Sequence, residues 1–143
     1  MKIAIGCDHA GYDLKEKIKE YLSEKQSFEI LDIGTYSVDS VDYPSFGHKV
    51  GIEVVEKKVD SGIVICGSGI GISIAANKIN GVRAALCTSE GHAEMSRKHN
   101  DANILALGSR MTKYEDVIKI VDVWFNTAFE GGRHLDRINK LEI

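Results

Sequence analysis

Cys66 stands directly before Gly67, Ser68, Gly69, Ile70 and Gly71, so a potential base or nucleophile meets a glycine-rich turn. Glycines at 67, 69 and 71 would let successive backbone N–H groups converge on an anion or a developing oxyanion. The N-terminus of the helical segment Ile72 to Asn77 would assist them. A merely tight strand-to-helix turn fits the spacing equally well. The stretch is not the dinucleotide fingerprint, because Ile72 occupies the place of its last glycine, and no Gly-Lys-Ser/Thr follows to make a Walker loop. Taken alone, Cys66 reads as a small buried hydrophobe. At a helix N-terminus, however, a thiol is more readily a thiolate. Cys7 and Cys87 also end apolar runs but lack such a loop, and they read as packing residues.

Other reactive side chains carry similar alternatives. Asp8-His9 is either an Asx turn or a carboxylate and imidazole aimed at a substrate. His99, followed by Asn100 and Asp101, closes a helix that begins near Ser89. A histidine there is either a dipole-stabilised surface group or a proton-transfer group suited to neutral pH. Arg133 and Arg137 lie four apart, on one face if that segment is helical. They could clamp a phosphate with charge-assisted bonds, although a solvated basic helix is the simpler reading. His48 and His92 read as solvated mid-helix groups. No histidine pair has H-E-x-x-H spacing, so no metal is expected.

These residues need elements to hold them. Short apolar runs at 2–6, 28–33, 62–66, 82–86 and 104–107 read as five parallel strands covered on both faces. Between them, Leu14, Ile18, Tyr21 and Leu22 recur at helical spacing. A second helix carries Val50, Val54 and Val55 after Pro44. Thr112 to Glu115 has the form of a capping box opening a helix through Val117, Val121, Trp124 and Phe125. Gly131-Gly132 interrupts the chain before a basic segment from Arg133 to Lys140. An open α/β sheet follows, with its ligand site beyond the carboxyl ends of the strands. The polar turns at 6–11, 34–36, 66–71, 87–89 and 108–110 all fall there.

A length of 143 residues predicts a single domain spanning 1–143. With 43% hydrophobic and 27% charged residues it reads as globular. Eighteen Lys and Arg against twenty-one Asp and Glu give a net charge of −3, too balanced for bulk attraction to nucleic acid. No apolar run reaches membrane-spanning length, and Met1-Lys2-Ile3 leads directly into a strand-like segment. The expected compartment is the cytoplasm, where three unpaired thiols fit reducing conditions.

Cys7-Asp8-His9, Asp42-Tyr43-Pro44, the block from Cys66 to Lys78, Arg97 to Asp101 and Glu130 to His134 together resemble the ribose-5-phosphate isomerase type B family. The match runs in order along essentially the whole chain. The wider family also contains allose-6-phosphate isomerase and the subunits of galactose-6-phosphate isomerase. This resemblance implies a three-layer α/β/α sandwich around a five-stranded parallel Rossmann-like sheet, with no metal or organic cofactor. It implies a homodimer that can pair into a homotetramer, and a small-molecule sugar phosphate as ligand. Cys66 would be the base that moves a proton between C2 and C1 through a cis-enediol(ate), with the amides from Gly67 to Gly71 holding the negative charge. His99 would open the furanose ring and Asp8 would orient the sugar. Ser68 stands where many relatives have threonine and keeps the hydroxyl for proton relay. His9, Arg133 and Arg137 would hold the phosphate, Asn100 and Arg110 would complete the substrate contacts, and Tyr43 would form a pocket wall. Another branch uses a glutamate base where this chain has Ile72.

The resemblance further implies a site completed at a two-fold interface. Gly131-Gly132 would let the segment 131–143 leave its own domain there, with Cys66 and His99 supplied by different chains. A noncatalytic phosphate or nucleotide sensor could use the same glycine turn, but would not need Cys66 and His99 together. A thiol redox protein would want a C-x-x-C pair, which is absent.

Overall fold

The protein is described by a computed structural model covering residues 1–143. Five strands, β1 Lys2–Cys7, β2 Glu29–Gly34, β3 Ser61–Cys66, β4 Ala84–Leu86 and β5 Ile104–Gly108, form one parallel sheet in the order β2-β1-β3-β5-β4. Six helices connect and cover them: α1 Tyr12–Glu24, α2 Tyr43–Val55, α3 Ile70–Asn77, α4 Glu90–Asn100, α5 Tyr114–Asn126 and α6 Arg133–Ile138. This is the expected three-layer Rossmann-like sandwich. No helix is long and apolar enough to cross a membrane.

Strand alternation divides the core between the two faces. Ile3, Ile5 and Cys7 point with Ile63 and Ile65 towards α1, α4 and α5, where Ile18, Ala93, Val121 and Trp124 meet them. Ala4, Val64, Cys66 and Ala106 point the other way, towards Val50 and Val54 of α2 and Ile72 and Ala76 of α3. Cys7 and Cys66 therefore end neighbouring strands on opposite faces. Gly62 allows α2 to sit close to the sheet, because a Cβ there would come within 2.5 Å of Val50 Cγ1.

The chain departs from the sequence reading where tertiary contacts outweigh local pattern. β4 shrinks to three residues, since Val82 packs in the loop core and Arg83 turns to other work. Its guanidinium donates to the carbonyls of Asn100 and Asp101 at 2.9 and 3.1 Å. Asn77 pairs with the backbone of Ala84 in both directions, accepting from its N–H at 2.8 Å and donating to its C=O at 2.9 Å. β2 is not buried on both faces; it is an edge strand carrying Asp32. That carboxylate accepts from Lys15 at 2.7 Å and Lys19 at 2.6 Å, and the Lys15 side chain is fully buried. Burial opposes the Asp32 charge, but the two lysines and the Gly34 amide hold its carboxyl below the usual range. The Thr112 capping box does not form. Lys113 is the N-cap of α5 without a side-chain bond, and the Thr112 amide instead donates back to the Gly108 carbonyl.

Candidate active site

The carboxyl ends of β1, β3 and β5 are tied into one platform. Asp8 N–H donates to the Ile65 carbonyl, Ser109 N–H to Cys66 and Arg110 N–H to Gly67, at 3.2, 2.9 and 2.9 Å. The Ser109 hydroxyl adds a 2.7 Å bond to the Ala10 carbonyl. Strand order reverses here between β2-β1 and β3, the switch point where open α/β sheets bind ligands.

Cys66 ends β3 with its sulfur accepting the Gly69 N–H at 3.2 Å. The Ser68 hydroxyl oxygen accepts from Ile70 N–H at 3.1 Å, which leaves its own proton free to be donated. The amides of Gly67, Ser68 and Gly71 donate to nothing within the chain. The turn is thus a cradle of unsatisfied donors beside a thiol, at the positive end of α3. Gly69 has φ +77°, and a Cβ there would lie 2.5 Å from Leu86 Cδ1 and 2.8 Å from the Leu107 carbonyl carbon. Gly69→Ala is therefore expected to cost about 3 kcal/mol or more through overpacking and backbone strain. A fall in the urea midpoint measures it, and a parental midpoint would contradict this loop geometry.

Around the cradle, Arg110 lies over Gly67, whose Cβ position is 3.2 Å from its Nη1. The Tyr43 ring covers Gly71, where a Cβ would meet Cζ at 2.5 Å, and so walls the turn from the start of α2. Asp8 is buried. One carboxylate oxygen accepts from Ala10 and Gly11 N–H at 3.0 and 3.2 Å, while the other has no partner in the chain. Both readings of Asp8 therefore coexist: a turn cap through Oδ1 and a free acceptor in Oδ2. His9 Nδ1 sits against the backbone of Val41, 3.1 Å from its oxygen, and Nε2 makes no bond within the chain.

His99, Asn100 and Arg137 gather elsewhere, along a cleft of about 210 Å³. α4 starts past the carboxyl end of β4 and runs back, so its last residues lie at the amino end of β5. Asn103, four residues beyond His99, bonds to Gly62 at the start of β3. From Gly62 to Cys66 the strand rises about 13 Å. One chain therefore does not bring His99 to Cys66; it carries the two groups at opposite ends of its sheet.

The final segment does not leave its domain. Gly131 and Gly132, at φ +70° and +58°, turn the chain so that α6 folds back on α4. His134 and Ile138 are buried there, whereas Arg133 and Arg137 face solvent. The His134 ring stacks on His99, with centroids 4.3 Å apart and planes 14° from parallel. Burial, with His99 and Arg133 nearby, pushes the His134 pKa down. Glu130 reaches the same place, its Oε2 3.8 Å from His134 Nε2. Sequence spacing gave no sign of this trio, because residues thirty apart meet only through the glycine turn. His48 and His92 stay outside both groups. His48 is half-buried, and His92 lies in the first turn of α4, 3.2 Å from the Thr88 hydroxyl.

Comparison with known proteins adds a family context. The family described as Ribose/Galactose Isomerase matches residues 3–141. Ribose-5-phosphate isomerase B of Escherichia coli (strain K12) is 47% identical over 140 residues, covering 98% of this chain and 93% of that protein. The structure of Clostridium thermocellum ribose-5-phosphate isomerase B superposes with a TM-score of 0.96 at 54% identity, covering 99% of this chain and 95% of that one. Ribose-5-phosphate isomerase B from Mycoplasma genitalium, solved with bound ribulose-5-phosphate, gives 0.93 at 45% identity, covering 98% and 93%.

Proposed function

The chain belongs to the ribose/galactose isomerase family and is an isomerase, and from that premise we propose that it interconverts ribose 5-phosphate and ribulose 5-phosphate without a metal or organic cofactor. The observation that carries this reading is the Cys66 sulfur beside the free amides of Gly67, Ser68 and Gly71. Such a reaction needs a base near the substrate C2 and donors where negative charge develops on oxygen.

In the proposed sequence, His99 donates a proton to the ring oxygen as the anomeric hydroxyl gives up its own to water, so that the C1–ring oxygen bond breaks and the C1 carbonyl forms; His99 regains a proton from solvent, and the free oxygen of Asp8 orients a sugar hydroxyl. Cys66, as thiolate, takes the proton from C2, and the C2–H electron pair moves to give a cis-enediolate whose charge the amides hold. Ser68, its hydroxyl proton unengaged, relays a proton between O2 and O1. The Cys66 thiol then returns its proton to C1, yielding the ketose and regenerating the thiolate. His9, Arg133 and Arg137 bind the phosphate, Asn100 and Arg110 contact the sugar, and Tyr43 closes the wall. Remote phosphate binding holds the scarce open-chain sugar in a reactive pose.

This chemistry needs two chains per pocket. Cys66, Asp8, His9, Tyr43 and Arg110 come from one copy and His99, Asn100 and the α6 arginines from a two-fold mate, in a homodimer that can pair into a tetramer. The separation of the two groups within one chain supports that division.

Metal-stripped protein incubated with ribose 5-phosphate, allose 6-phosphate and galactose 6-phosphate should form ketose fastest from the pentose. Comparable or faster turnover of a hexose would overturn the substrate assignment, and no turnover of any would overturn the reaction. Arg137→Ala and Arg133→Ala should each weaken competitive inhibition by inorganic phosphate more than tenfold, since a charge-assisted contact is worth about 1.5–3 kcal/mol. Unchanged inhibition in both variants would return α6 to a solvated basic helix.

A further inference from the structure

The trio at the junction of α4 and α6 has features that the isomerase chemistry leaves unexplained. The His134 side chain is 7% exposed, and neither of its ring nitrogens makes a hydrogen bond within the chain. Its approach to Glu130, at 3.8 Å, is too long for one. The donor atoms of His99, Glu130 and His134 all lie within 4.8 Å of one another. A nearly buried imidazole whose nitrogens touch only solvent, beside a second imidazole and a carboxylate, gathers three donor atoms that no hydrogen bond within the chain engages.

We propose that His99, His134 and Glu130 of a single chain form a binding site for a borderline divalent cation of the zinc class. Two imidazole nitrogens and one carboxylate oxygen suit such an ion and leave a fourth position open. Tetrahedral bonds of about 2.0–2.1 Å set donors about 3.3 Å apart, so the trio must draw in by up to about 1.5 Å. Glu130 is exposed and free to swing, and half-buried His99, stacked face to face on the fixed anchor His134, must also turn its ring so that its in-plane lone pair converges on that of His134. The glycines that turn the chain between Glu130 and His134 have positive φ and nothing within 4 Å of a Cβ position. They are required by the backbone path that sets the two ligands side by side, not by crowding. Arg133 and Arg137 repel a cation here. The Glu130 charge offsets part of that, and Arg137 on the same cleft favours an anion in the fourth position.

A bound ion would occupy the nitrogen from which His99 gives its proton in ring opening, so the site would switch turnover off. This consequence rests on the isomerase reading; metal binding itself does not. The test uses the Cys66→Ala protein, which lacks the competing active-site thiol, titrated with Zn²⁺ against a chromogenic chelator and with Co²⁺ by visible absorption. One equivalent per chain should bind, with a nitrogen/oxygen ligand-field spectrum. Glu130→Gln and His134→Gln, each added to that background, should weaken binding at least tenfold. Glu130 is exposed, so its variant tests the site even if His134→Gln fails to fold. Loss of binding in Cys66→Ala, or zinc affinity unchanged by Glu130→Gln, overturns the site. In the parent chain Zn²⁺ should inhibit, while Glu130→Gln alone should keep turnover and resist inhibition. Binding at the trio without inhibition would leave the metal site standing and refute the role of His99.

Discussion

Replacing Cys66 with alanine is expected to lower isomerase turnover by about 10²–10⁴-fold, the usual contribution of a positioned base, while the fold survives. The side chain is 4% exposed and packs among Ala4, Val64, Ile72 and Ala106, yet only one sulfur is removed. Its contact with the Gly69 N–H is a weak sulfur bond. A stability loss of about 1 kcal/mol is expected, small beside the kinetic effect. Cys7→Ala and Cys87→Ala are the controls. Burial pushes their thiols up to about 12 and about 11, so both stay protonated at neutral pH and have no part in proton transfer. Steady-state assays with urea melts on all three variants decide the matter. Ordinary turnover in Cys66→Ala would remove the cysteine base from the mechanism.

Mixing inactive Cys66→Ala chains with inactive His99→Asn chains should restore activity. Since each chain holds these groups at opposite ends of its sheet, the proposed pocket draws one from each of two copies. A mixed dimer then has one pocket with both groups intact and one lacking both. Random exchange makes half the dimers mixed, so recovery should approach about a quarter of parental activity. Measuring turnover after joint unfolding and refolding, against each variant refolded alone, gives the result. A dimer that forms without recovery would reject the assignment of Cys66 and His99 to different chains. A fully active monomer on dilution would reject the shared pocket altogether.

Much of this site could be read in the sequence because its parts are local. Cys66, the three glycines and the helix after them are contiguous, so their joint geometry follows from a strand ending where a helix begins. The free amides and the second oxygen of Asp8 follow from the same short-range logic. The expected strands were also local, since each is an apolar run. What escaped was set by contacts between distant segments. Glu130 and His134 matter only because α6 returns to α4, and no periodicity reports that. Asp32 hides in a strand pattern because its partners, Lys15 and Lys19, stand one helix earlier. Thr112 carries the right letters for a cap, but the Gly108 carbonyl claims its amide and moves the helix start by a residue.

The pairing of Asn77 with Ala84 has a consequence for how this chain meets others in solution. β4 is an edge of the sheet, and an open edge is a row of backbone donors and acceptors that can recruit a foreign strand. Here the strand is only three residues long, and the Asn77 amide already occupies both backbone groups of Ala84, imitating a neighbouring strand one residue wide. At the opposite edge, β2 carries Asp32 with its two lysines, charges that resist stacking against another sheet. Both routes to amyloid-like extension are therefore blunted. In the proposed dimer, copies would join through helices and loops, which would leave the carboxyl ends of the strands clear for a mate's side chains rather than its backbone.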